Sequence, residues 1–112
     1  MKVKLRRINK KKFQHRWLEL LARVKTNEGM VLAIVDADKL LEDTLKRKGF
    51  KGKTMGERMV AAQKAFTDND GVWYAHKLRN RVVHEPHIRL KKDEAKIALA
   101  GFRQALRDLE VL

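Results

Sequence analysis

The sequence predicts an all-α fold, a four- to five-helix up-and-down bundle behind a basic N-terminal arm. Three observations carry that expectation. Apolar residues recur at spacings of three and four in several segments, the period of a half-buried helix. No alternating run of strand length occurs in the body of the chain, and the single proline leaves the helical segments uninterrupted. A length of 112 residues suits one domain with one modest core, joined by short loops. The division expected is an arm over residues 1–12 and a single helical domain over 13–112.

Taken in order, the arm alternates apolar Val3, Leu5 and Ile8 with Lys2, Lys4, Arg6 and Arg7, as a short strand or a disordered tail would. Asn9 is a capping residue for a first helix to about Thr26, with Phe13, Trp17, Leu20, Leu21 and Val24 on its apolar side. A turn is expected at Asn27 to Gly29. The second helix, about Met30 to Lys48, has the strongest stripe: Val31, Ile34, Asp38, Leu41 and Leu45 step by three and four. Gly49 ends it. Thr54 and Glu57 form a capping box that opens a third helix to about Phe66. Asn69-Asp70 is the expected cap of a fourth helix, about Asp70 to Glu85, ended by Pro86. A fifth spans about Lys92 to Glu110, with Ile97, Ala98, Phe102, Ala105, Leu106 and Leu109 inward.

Composition removes several function classes. With no cysteine there are no disulfides and no thiolate metal site, and a reducing cytoplasm fits. The longest apolar run, Met30 to Val35, is far short of the ~20 residues of a membrane span. No apolar segment follows the basic N-terminus, so no secretory signal is expected. A soluble cytoplasmic protein is the expectation. The formal charge is +13, and seven of those charges are Lys2, Lys4, Arg6, Arg7, Lys10, Lys11 and Lys12; removing them leaves +6 on the remainder. A charge run is often only a solvated tail. The excess outside it favours a phosphate-binding arm, since such cations displace condensed counterions, and charge alone admits nucleic acid as one anionic partner among several.

On a helical wheel, Val72, Ala75, Leu78, Val82 and Val83 define the core face of the fourth helix, and Arg79 falls inside that arc. His76, Asn80 and His84 are four apart in succession and run along its edge. An unpaired guanidinium in an apolar stripe is costly to desolvate, so Arg79 needs a partner. Asp38 is the second anomaly, an acid where the second helix should present Val, Ile or Leu. A structural pair with some Lys or Arg is one account of it. The other is that Asp38 holds Arg79 or His84 in position.

The segment Arg79-Asn80-Arg81-Val82-Val83-His84 resembles the motif of the HEPN family, an Arg, usually followed by Asn, and a His four to six residues after the Arg on a bundle helix. The resemblance covers roughly residues 13 to 112. Ala37 to Leu41 and Gly52 to Glu57 also look like small bacterial proteins carrying the motif. It implies a metal-independent RNA endonuclease, toxin-like, needing no cofactor. RNA brings its own nucleophile, the 2′-hydroxyl, so cleavage needs a proton shuttle and stabilisation of a five-coordinate phosphorus. His84 would move the proton and Arg79 would hold the developing charge through its planar fork. Asn80, His76 and Asp38 would support them. The resemblance further implies a homodimer with two motifs facing one cleft, and an antitoxin or nucleotidyltransferase-like partner.

The chain departs from one branch of that family. Where some members have a modifiable Tyr two residues after the His, this sequence has Pro86, and its only Tyr is Tyr74. That weakens the case for a modifying partner. His84-Glu85-Pro86-His87 lacks the paired His of a zincin helix, and no metal site is expected from it. Gly49 to Thr54 lacks the spacing of a phosphate loop and is a capping turn instead. Trp17 and Trp73, at helical positions, are expected in the core or an interface. The alternatives to an RNase are a non-catalytic HEPN-type module binding nucleotide, RNA or protein, and a basic RNA- or ribosome-associated protein in which Arg79 and His84 are structural.

Overall fold

The computed structural model describes residues 4–85 and 87–112. Lys2, in the basic arm, and Pro86 lie outside the described residues. The described residues form five α-helices: α1 (Lys10–Leu21), α2 (Asn27–Arg47), α3 (Met55–Ala61), α4 (Asn69–His84) and α5 (Lys92–Asp108), with a 3-10 turn at Gln63–Ala65. No strand occurs among the described residues.

Cross-helix contacts give the directions. Arg16 pairs with Asp43 and Arg23 with Asp36, so α1 and α2 run antiparallel. Asn27, opening α2, bonds the Ile88 carbonyl and the Leu90 amide beyond the end of α4, and mid-helix Asp38 meets His76, so α2 and α4 are antiparallel too. Arg81 reaches Glu94 while Gly71 faces Gly101, which sets α5 against α4 in the same sense. The four long helices therefore alternate up and down, and short α3 bridges α2 to α4. Ile34, Leu40, Leu41, Leu45, Met59, Val72, Phe102 and Leu106 fill the centre. The closest approach is between α4 and α5, where a Cβ on Gly101 would fall 2.3 Å from the Gly71 carbonyl oxygen.

Boundaries differ from expectation where caps decide them. The first helix stops at Leu21 rather than near Thr26, because the Thr26 hydroxyl accepts from the Gly29 amide and starts α2 three residues early. The expected turn at Asn27 to Gly29 is thus the first turn of α2. Asp68, not Asn69, caps α4 by accepting from the Gly71 amide at 2.9 Å. Thr54 caps α3 as expected, but Glu57 reaches back to the Lys53 amide rather than to that of Thr54, and the helix gives way to the 3-10 turn after Ala61. The fifth helix ends at Asp108, followed by Glu110 at φ +65°. Ile97 and Val83, expected inward, are about half exposed, and Leu21 also faces out. Each lies at the rim of its stripe, where a 3.6-residue period leaves the neighbouring helix out of reach.

The described part of the arm, residues 4–9, forms no strand. It docks instead: Leu5 and Ile8 are half-buried against the core, and Lys48 Nζ donates to the Arg6 carbonyl at 2.6 Å. Gly49, at φ +90°, lets the chain turn beneath the Arg6 guanidinium, and a side chain there would collide with it. Lys10, Lys11 and Lys12, the last cations of the basic run, form the first turn of α1. No helix among the described residues is long and apolar enough to cross a membrane.

Candidate functional site

The interface of α2 and α4 gathers most of the polar residues singled out above. Asp38 is 4% exposed, deep in the apolar stripe of α2, and points at α4. Its Oδ1 lies 2.8 Å from Nδ1 of His76, itself buried. A carboxylate only accepts, so Nδ1 carries the hydrogen of this bond. Trp73 packs edge-on against the imidazole, centroids 6.1 Å apart and planes at 78°. That contact and the Asp38 bond fix the ring from two sides.

Arg79, one turn beyond His76, lies beside the same carboxylate. Its Nε is 3.6 Å from Asp38 Oδ2, an ion pair too long for a hydrogen bond, and that buried Nε has no hydrogen-bond partner. Its Nη1 donates to Asn80 Oδ1 at 3.0 Å. The stem is held from below by charge while the fork is drawn toward the edge of the helix, and the side chain remains 35% exposed. An arginine so placed keeps donors for an anion outside.

The expected partner of Asp38 was Arg79 or His84. Arg79 is near it, but the hydrogen bond goes to His76, which the sequence had placed only at the edge of the arc. The side chain of Asp38 reaches His76 because helices packed antiparallel bring the two midpoints level. His84 is not brought to Asp38. It closes the last turn of α4 in an exposed position, next to exposed Glu85. The row His76, Asn80, His84 therefore grades from buried through half-buried to exposed. Arg79 and His84, five residues apart, are separated by roughly 7.5 Å of rise and roughly 140° around the axis.

The basic residues form a second group. Lys4, Arg6, Arg7, Lys10, Lys11 and Lys12 are all exposed. The first turn of α1 contains no acid, so three lysines oppose the positive end of the helix dipole. Lys48, not singled out in the sequence, is buried at 6% exposure, and burial pushes its amine below the ordinary value of 10.5. Glu110 opposes that shift and Lys10 adds to it. Only the docking of the arm over the end of α2 reveals it. Trp17 is a core residue, and Trp73 is half-buried at the His76 site. Among the described residues, no group of three or more His, Cys, Asp or Glu is arranged to hold a metal ion.

The chain matches no protein-family model, none of the curated proteins and no solved structure.

Proposed function

We propose that this protein is an RNA-directed helical bundle of HEPN type, acting as a metal-independent endoribonuclease in the cytoplasm. The observation that carries it is the mounting of Arg79: a buried acid on α2 holds its stem while Asn80 turns its fork outward. Energetically this is an arginine prepared for an anion, since its burial is only partly compensated from within. His84 is the solvent-facing acid–base group of the motif, placed to take a 2′-hydroxyl proton. Arg79 would neutralise the charge building on phosphorus. The exposed cations of the arm and of the first turn of α1 supply sequence-independent attraction for the strand.

One feature favours a second account, the non-catalytic module. Arg79 and His84 diverge around the helix, and within one chain that separates the phosphate clamp from the proton carrier. A homodimer that sets two motifs across one cleft would restore their proximity, with an antitoxin-like protein as inhibitor. Cleavage of RNA in EDTA, leaving cyclic phosphate ends and lost in folded Arg79→Ala and His84→Ala variants, is the expected result. Tight RNA binding with no cleavage, unchanged by either substitution, would leave the binding module.

A further inference from the structure

Two of the long helices stand apart from one another. α1 packs on α2, while α5 packs on α4 and α2, and a groove of about 560 Å³ is left between α1 and α5. Its floor is the buried Trp17, and Leu18, Leu21 and Leu112 line it from the sides. Leu18 is 65% exposed and Leu21 37%, although both lie on a helix whose other outward positions are polar or charged. Across the groove stand Arg103 and Arg107, four apart and therefore stacked one turn above the other on α5. No Asp or Glu side chain lines the groove. Neither arginine pairs with an acid among the described residues. The place is remote in sequence from the α2–α4 site and uses none of its residues.

An apolar trough with a cationic wall calls for an occupant that is apolar on one side and acidic on the next. Nucleic acid satisfies only the arginines. Its bases need aromatic faces for stacking, and here the one aromatic lining residue, Trp17, is only 5% exposed at the groove floor. We propose that the groove binds an amphipathic helix of an acidic protein partner. Apolar side chains at i and i+3 or i+4 would cover Leu18 and Leu21, and carboxylates spaced by four would meet Arg103 and Arg107. The match is one of charge as well as shape, since the chain's +13 attracts acidic partners and the arginine pair gives them a register. This surface is independent of whether the protein cleaves RNA.

The test is calorimetric titration of the full chain, at about 150 mM salt, with a designed helical peptide of about 20 residues. One form carries Leu on one face with flanking Glu at four-residue spacing; a second carries Lys in place of Glu. One-to-one binding of the Glu form is expected. Leu18→Gln with Leu21→Gln, which leaves net charge untouched, should weaken it at least about tenfold. Arg103→Glu with Arg107→Glu should do the same and admit the Lys form. Circular dichroism checks that both variants are folded. Unchanged affinity in the leucine variant would mean diffuse attraction to a basic protein and overturns the proposal. So does failure of the Glu form to bind at about 1 mM. Displacement of the peptide by single-stranded RNA, with RNA affinity lost in the arginine variant, would make the groove a nucleic-acid surface and overturns it equally.

Discussion

Asp38 and His76 join the midpoints of α2 and α4 through a 2.8 Å hydrogen bond inside the core. Arg79 Nε shares the same carboxylate at 3.6 Å. Removing the acid strands the ring N–H and leaves the guanidinium, which keeps its bond to Asn80, without its buried counter-charge. Asp38→Ala should therefore cost about 2 to 4 kcal/mol in urea unfolding. A double-mutant cycle with His76→Ala should show a coupling of about 1 to 3 kcal/mol. Additive effects of the two substitutions would show that the contact contributes nothing beyond packing.

Gly101 tests the close approach of α4 and α5. On an exposed helix, Gly→Ala stabilises by up to about 1 kcal/mol. Here the added methyl would meet the Gly71 carbonyl oxygen at 2.3 Å and Ala75 Cβ at 3.4 Å, and the first of these is backbone that must shift. Gly101→Ala should reverse the sign and destabilise by about 1 to 3 kcal/mol. A gain in the thermal midpoint would mean that the two helices are not held this close.

Helical periodicity made the four long elements and their central residues legible, because burial of Ile34, Leu41, Val72 and Phe102 is written in three- and four-residue steps. The ends of those elements were less so. Thr26 and Asp68 compete with neighbouring Asn27 and Asn69 as caps, and which side chain folds back depends on the loop before it. The polar site was half legible. The odd placement of Asp38 and Arg79 within apolar stripes announced a pair across the helices. That the tighter bond goes to His76 follows from the relative height of α2 and α4, a quantity no single helix encodes. The docked arm was illegible for a similar reason, since Lys48 looks like any lysine at a helix end until Arg6 lies across it.

Lys10, Lys11 and Lys12 set folding against binding. Three cations in the first turn of α1 oppose the helix dipole, and no acid there offsets them. Replacing all three by Glu should raise the unfolding midpoint. The same change should weaken binding to a single-stranded RNA, and the slope of log affinity against log salt should fall by about 2 or more. Stability and RNA affinity moving in the same direction would separate the lysines from any phosphate contact.

Lys48 provides a pH signature of arm docking. Burial lowers its pKa from 10.5, with Glu110 acting against the shift. In the unfolded chain the amine regains its ordinary value. Between the lowered pKa and 10.5 the unfolded state therefore binds more protons than the folded one, and stability rises with pH through that alkaline window. Below the window both states are protonated and this contribution to the pH dependence vanishes. Lys48→Met keeps an apolar stem but removes the titrating group and the donor to the Arg6 carbonyl. The difference in unfolding free energy between wild type and Lys48→Met should be flat at neutral pH and shift in favour of the wild type as pH climbs toward 10.5. The variant should also make the arm an earlier target for trypsin at Arg6 and Arg7. Parallel pH curves for the two proteins would place the Lys48 amine in water, with the arm undocked.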